Sequence, residues 1–354
     1  MELAIIGLPQ VGKKTVYKLL TGLDAASAPT KSGVTQGIAP VRDPRVDTLS
    51  TMYNPKKTKY AEFNLALPPD ISPNASRSAD WIDPIRTVDA FIHVVRAFDS
   101  PTVFHIDGSV DPERDIETVE TELLFADLDL VEKRLARMEK ERKKGDAQKE
   151  HEKALLEKLK SHLENEESLR TVELSEDEEK SIRSLQFLTR KPMVVVFNVG
   201  EDMEAAAQEL GEMRTKLEDR GATIVVLSAA IEEELVDLDA EEREEFMADL
   251  GVEEPAAHRL SRAAYDALGL ISFFTVGPDE VRAWPLHEGS IAPEAAGRIH
   301  SDLQRGFIRA ETTAYDDLVD AGSEKAAKDA NKTRLNGKDY IVQDGDVLNI
   351  RFNV

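Results

Sequence analysis

Ala4-Ile5-Ile6-Gly7-Leu8-Pro9-Gln10-Val11-Gly12-Lys13-Lys14-Thr15 decides the fold of this chain. The apolar run Leu3 to Ile6 predicts a short buried strand. Gly7 and Gly12 bracket a loop, and Thr15 to Leu20 begins a helix. Strand, glycine-bracketed loop, lysine and helix, in that order, form a phosphate-binding P-loop. The glycines let backbone N–H groups turn inward around an anion with no Cβ in the way. The helix N-terminus adds unpaired donors and a partial positive charge. Lys13 is placed to reach the β- and γ-phosphates of a nucleotide. The candidate phosphate-binding residues are therefore Gly7, Pro9, Gln10, Val11, Gly12, Lys13, Lys14 and Thr15. A glycine-rich strand-to-helix turn with no ligand has the same outline.

The pattern G-x-x-x-x-G-K-[ST] asks for a hydroxyl directly after the lysine, where it holds Mg²⁺. Lys14 stands there, and the hydroxyl of Thr15 comes one place later. One residue is about 100° of helix, so Thr15 is expected to face away from the phosphates.

The bulk composition bounds the rest. The chain has 354 residues, enough for two or three domains, and is 41% hydrophobic, as globular chains are. No apolar run approaches a membrane span and no signal peptide precedes the first strand, so a cytoplasmic location without membrane contact is expected. With Cys 0 there is no disulfide, thiol chemistry or thiolate metal site. The net charge of −23 argues against non-specific attraction to nucleic acid or anionic lipid, and no sequence-specific DNA binding is expected. The seven histidines are scattered without helical ligand spacing, so no metal ligand is assigned.

Along the chain, Ser27 to Gly37 reads as a loop and Arg42 to Tyr53 as a helix ended by Asn54-Pro55-Lys56-Lys57. Tyr60 to Leu67 is strand-like, Pro68-Pro69-Asp70 and Ser72-Pro73-Asn74 form a second loop, and a helix follows through Trp81 to Val88. Ala90 to Arg96 reads as a central parallel strand in which His93 is a packed core histidine. From Asp115 the apolar residues recur at helical spacing, break at Lys143-Lys144-Gly145-Asp146, and resume at Leu155, Leu156, Leu159 and Leu163. That is an antiparallel helical hairpin. Lys191 to Phe197 and Ala222 to Leu227 are further buried strands, ending in Asn198-Val199-Gly200-Glu201 and Ser228-Ala229-Ala230. Such strand ends are where a doubly wound sheet puts its ligand. The last segment opens with the strand Ile271 to Thr275 and carries a helix around Pro293 to Leu303. Gly337 to Val342 and Val347 to Val354 read as a closing β-hairpin around Asp344-Gly345-Asp346. Strands plus one helix in this length suggest a small β-grasp domain, acidic overall with 10 Lys/Arg against 14 Asp/Glu in residues 271–354.

Glu280-Val281-Arg282-Ala283-Trp284, Arg305-Gly306-Phe307-Ile308-Arg309-Ala310-Glu311, Gly337 to Val347, His93-Val94-Val95-Arg96 and Ser228 to Leu235 form a recognisable set of stretches. Together they resemble one family, the YchF or Obg-like ATPases. The resemblance implies a P-loop NTPase α/β domain with a doubly wound sheet, an inserted α-helical hairpin and a C-terminal β-grasp (TGS, ubiquitin-like) domain. The boundaries expected are 1–112 and 191–270 for the nucleotide-binding domain, 113–190 for the hairpin and 271–354 for TGS. It also implies ATP or GTP as ligand and the ribosome or translation machinery as partner. Asn198, Val199, Glu201, Ser228 and Ala229 become base-binding candidates, with Asn-x-x-Glu in place of the guanine-reading N-K-x-D. Arg305, Arg309 and Lys338 are the basic candidates for partner contact.

The departures concern the metal. The family has Ser where Lys14 stands, and the aspartate and glycine of its D-x-A-G motif fall on Leu65 and Pro68. Mg²⁺ normally neutralises charge developing on transferred phosphate. Each loss of about 1.4 kcal/mol is tenfold in rate, so hydrolysis is expected to be weak or absent while binding survives. Lys14 either neutralises phosphate charge beside Lys13 or faces solvent. A working ATPase and a nucleotide-free scaffold acting through TGS are the alternatives.

Overall fold

The computed structural model describes residues 1–71, 81–140, 147–250, 252 and 254–353. Two expected features, the loop Ser72-Pro73-Asn74 and the turn Lys143-Lys144-Gly145-Asp146, lie outside the described residues. In chain order the strands are β1 (Glu2–Ile6), β2 (Thr30–Lys31), β3 (Val34–Val41), β4 (Lys57–Lys59), β5 (Ala61–Leu67), β6 (Ala90–Ala97), β7 (Met193–Val199), β8 (Ala222–Leu227), β9 (Leu270–Thr275), β10 (Glu280–His287), β11 (Phe307–Ala314), β12 (Arg334–Asn336) and β13 (Asp346–Phe352). The chain divides into two compact units, Met1–Gly37 with Asn64–Leu260 and Ile38–Phe63 with Ser261–Val354.

The first unit carries a seven-stranded sheet in the order β2-β3-β5-β1-β6-β7-β8. β1 lies between β5 and β6 and is parallel to both, and β6, β7 and β8 continue the parallel run. β7 is buried from end to end, and so is β6 up to its last residue. A parallel strand covered on both faces needs a continuous apolar run, which Met193–Val199 supplies. The strand order reverses at β1, and the crevice at the carboxyl ends of the strands there is the usual ligand position in a doubly wound sheet.

Ser27 to Gly37, expected as a loop, contains a short hairpin instead. Thr30 pairs with Thr35 and Lys31 with Val34, and Ser32 and Gly33 make the two-residue turn with φ of 51° and 80°. Positive φ at both turn positions suits the twist of a two-residue hairpin. The exposed two-residue strand β2 carries no apolar alternation by which to recognise it.

The inserted helices run Pro112–Lys140 and Ala147–Glu164. Their facing stripes, Leu124 and Val131 against Leu155, Leu156, Leu159 and Leu163, close a core with Leu169, Val172, Ile182 and Phe187. The acidic stretch after them holds the helix Glu176–Ile182, started by a capping box between Ser175 and Glu178.

The second unit carries a six-stranded sheet, β12-β11-β13-β9-β10-β4. β9 and β10 are antiparallel, β13 is parallel to β9, and β11 is antiparallel to β13. The helix Ala292–Ile299 follows the second of these strands and buries Ala292, Ala295 and Ala296 against Phe273, Leu286, Phe307 and Leu348. This is the β-grasp arrangement. β4 extends the sheet beyond β10, with Lys57 paired to Glu280.

The closing hairpin does not form. Ile341 makes an isolated bridge with Ile291, and β13 takes β11 and β9 as its partners. The Asp346 carboxylate accepts from the Gln343 N–H and the Tyr340 hydroxyl, which folds the segment before β13 into a turn.

Candidate functional site

The loop after β1 is held by its backbone. Gly7 sits at φ 143°, and a Cβ there would lie 2.4 Å from the Val94 carbonyl oxygen of β6. Gly12 caps helix α1 (Lys13–Thr21) at φ 101°, and a Cβ there would lie 2.4 Å from Asn198 Nδ2. Both positions need a residue without a side chain. Asn198, at the end of β7, donates from Nδ2 to the Val11 carbonyl at 3.0 Å and accepts at Oδ1 from the Ala229 N–H at 2.9 Å. One buried amide thus ties the loop after β1 to the start of the helix Ala229–Asp237.

These elements border a cleft of about 900 Å³. One wall is Gln10 and Gly12 to Thr15, another is Asn198 to Glu201 with Ser228 to Ala230, and Asp70 and the loop from Phe98 to Val103 complete it. Glu201 is exposed at the rim, whereas Val199 and Ser228 are buried. Of the loop candidates, Gly7, Pro9 and Val11 are not on the cleft wall. Thr15 does line the cleft, contrary to the rotation expected from helix geometry. The first turn of α1 meets the cleft end-on, so its successive residues all border it. Lys14 is exposed on that same wall.

Lys13 is 5% exposed and its ammonium is turned back on its own loop. Nζ donates to the Gly7 carbonyl at 2.9 Å and to the Leu8 carbonyl, and it pairs with Asp70 at 2.9 Å. Burial pushes the Lys13 pKa below the ordinary lysine range, and Asp70 opposes that shift. Asp70 escaped the sequence reading because it lies outside the motif spacing. Leu65, at the position where an aspartate was sought, is fully buried in β5 opposite Leu3. Among the described residues, those near Lys13 do not fit a protein-held Mg²⁺. An ammonium, Lys14, takes the expected hydroxyl position, and the carboxylate present, Asp70, is already paired with Lys13.

Arg96 was also missed. It is buried at the end of β6, donates from Nε to Phe98 O and from Nη2 to Val103 O, both at 3.0 Å, and stacks 4.5 Å over the Phe98 ring. It shapes the loop that walls the cleft. His93, on the same strand, is buried beside Ile6 and Val195. Desolvation, with Lys13 and Arg170 nearby, lowers its pKa to about 3, so the ring is neutral.

His105, Asp107 and Asp115 also converge. His105 Nδ1 accepts from the Asp107 N–H at 3.1 Å, which leaves Nε2 to carry the proton it shares with Asp115 at 2.8 Å. Arg114 bonds the other Asp115 oxygen, so the cluster is satisfied internally. In the second unit Arg305 pairs with Asp302, and Arg309 and Lys338 are exposed.

Comparison with known proteins agrees with this geometry. A family model described as YchF-GTPase_C, protein of unknown function (DUF933), matches residues 270–353. The "Ribosome-binding ATPase YchF" of Haemophilus ducreyi is 43% identical over 99% of this chain and 98% of its own length. The chain belongs to the YchF family. The YchF protein of Bacillus subtilis is 42% identical over 99% of this chain and 98% of that one. The Obg-like ATPase 1 of rice (Oryza sativa subsp. japonica) is 36% identical over 100% of this chain and 92% of that protein. Among solved structures, the YchF GTPase of Schizosaccharomyces pombe superposes with a TM-score of 0.86 at 30% identity, covering 99% of this chain and 97% of that one. The β-grasp unit and the P-loop sheet are thus those of a YchF protein.

Proposed function

We propose that the chain binds a purine nucleotide, ATP or GTP, in the cleft above β1 and acts with the ribosome or translation machinery, with weak or absent Mg²⁺-dependent hydrolysis. The observation that carries the reading is the cradle made by Gly12, Lys13 and the N-terminus of α1 on the wall of a cleft of about 900 Å³, with Gly7 fixing the loop behind it. Its donors are backbone N–H groups, the helix dipole and the Lys13 ammonium, which together suit the phosphates. The wall from Asn198 to Glu201 with Ser228 and Ala229 is where the base would lie. Asn198 positions that wall by holding Val11 and Ala229 together, and Glu201 at the rim is the group free to read the base. Ribosome association is carried over from the names of full-length relatives at 42–43% identity. Arg305, Arg309 and Lys338 are the proposed contact residues, and a cytoplasmic location follows from the same role.

A second reading, a working ATPase, is favoured by those same relatives, which are named ATPases. Single-turnover hydrolysis of ATP and GTP with and without Mg²⁺, with nucleotide binding followed in parallel and Lys13→Ala as control, separates the two. Tight binding without turnover is expected. Metal-dependent turnover above the Lys13→Ala control supports the ATPase, and no binding at all removes both readings. Replacing Arg305, Arg309 and Lys338 together by Ala is expected to weaken ribosome co-sedimentation; unchanged co-sedimentation would remove those three as contacts.

A further inference from the structure

The Lys13 ammonium is the group on which phosphate binding depends, and it has no donor to spare. An ammonium has three N–H donors. The three acceptors around Lys13 Nζ are the Gly7 carbonyl, the Leu8 carbonyl and the Asp70 carboxylate. Lys13 itself is buried, so water does not supply a fourth arrangement. We propose that Asp70 is an internal anion that occupies Lys13 in place of phosphate, and that its departure is required before a nucleotide phosphate engages this lysine. The inference rests on the nucleotide-binding reading above.

Which of the three acceptors leaves is settled by how each is held. The Gly7 carbonyl belongs to a residue pressed against Val94 of β6, where no Cβ fits. Leu8 is 1% exposed. Asp70 is on the loop after β5, with its side chain half in solvent at 51% exposure. A carboxylate released there regains water, whereas a displaced buried carbonyl does not. The exchange is also one anion for another, so the charge on Lys13 is matched before and after. A phosphate that entered without the exchange would meet Asp70 as a like charge in a confined site, which disfavours it. Asp70 therefore lowers the affinity of the site for phosphate, most strongly for nucleotide whose charge no cation has reduced.

The test is calorimetric titration of the full chain with ADP in EDTA, using wild type, Asp70→Asn, Asp70→Ala and Asp99→Asn. Asp99 lines the same cleft and is exposed, so its substitution removes an equal charge without touching the groups bonded to Lys13. Both Asp70 variants are expected to bind ADP about tenfold tighter or more, which is about 1.4 kcal/mol, while Asp99→Asn gains less than about threefold. An unchanged affinity, or equal gains at Asp70 and Asp99, overturns the proposal. Weaker binding by the Asp70 variants also overturns it. Wild type that binds while Asp70 variants show no gain leaves the nucleotide reading standing and removes this inference alone. If neither wild type nor any variant binds ADP, both fall.

Discussion

The loop after β1 and the loop after β5 meet at Lys13, yet they are built on different principles. The first is fixed by main chain: two glycines at positive φ, each with a neighbour 2.4 Å from where a Cβ would be. The second supplies one half-exposed carboxylate from a Pro-Pro-Asp segment. A backbone cradle tolerates no shift in spacing, because its donors point inward only when the glycines are in place. A carboxylate on a loop has only to reach the ammonium. Leu65 is buried within β5, whereas Asp70, five positions later, brings a charge to the cleft.

The largest expected effect breaks the first loop. Gly7→Ala adds a Cβ against the Val94 carbonyl at a φ of 143° that only glycine accepts readily. Overpacking and backbone strain together cost about 4 kcal/mol, read as a lower urea midpoint with loss of nucleotide binding. Gly200→Ala, where no atom lies within 4 Å of the added carbon, is the control and should move stability by less than ~0.5 kcal/mol.

Next comes the floor beneath the two loops. His93 pairs across the sheet with Ile6, the residue before Gly7. Its pKa falls to about 3 in the folded chain, from 6.5 in the unfolded one. The unfolded state therefore takes up a proton between these values and the folded state does not. The contribution is fully present well above pH 6.5 and is lost as pH falls toward 3, at up to about 1.4 kcal/mol per pH unit, or roughly 3 kcal/mol between pH 6.5 and 4. His93→Gln should flatten that part of the stability profile in urea titrations at stepped pH. A variant with the wild-type slope would place the acid sensitivity elsewhere.

The tie between the loop and the cleft wall proposed for the base is worth less. Asn198→Ala leaves the Val11 carbonyl and the Ala229 N–H without their partner, at a cost of about 2 kcal/mol. Nucleotide affinity should fall further than stability alone accounts for, because both walls of the cleft lose their register. Equal loss of affinity in Asn198→Ala and in a variant destabilised elsewhere by the same amount would reduce Asn198 to a packing residue.

The same contrast decides what was legible in the sequence. Continuous apolar runs such as Met193–Phe197 and glycines at fixed spacing announce buried parallel strands and a tight strand-to-helix loop, because each requirement is local. The leucines of the helical hairpin read directly as its core for the same reason. Asp70 and Arg96 did not read, since their roles depend on where distant strands bring them. β4 did not read either: its three exposed residues find β10 more than two hundred positions later. The closing hairpin was misread because alternation in Leu348, Ile350 and Phe352 marks a strand but not its neighbours. Thr15 was misplaced because rotation about a helix axis ceases to sort residues where the helix meets a ligand cleft end-on.

The smallest effect concerns Lys14, which sharpens the comparison because it lies on the rigid loop but acts, if it acts, as a side chain. It is exposed on the cleft wall at the second position of α1. An exposed ammonium near phosphate works through high-dielectric Coulomb attraction, about 1 kcal/mol at 4 Å in water. Lys14→Ala should therefore weaken ADP binding in EDTA by about fivefold, with the loss shrinking as salt is raised. Stability should stay within ~0.5 kcal/mol of wild type, since no buried partner is lost. Unchanged affinity at low salt would mean that Lys14 points to solvent. In that event the loop after β1 would offer phosphate only its backbone and Lys13, with Asp70 as the competitor for that lysine.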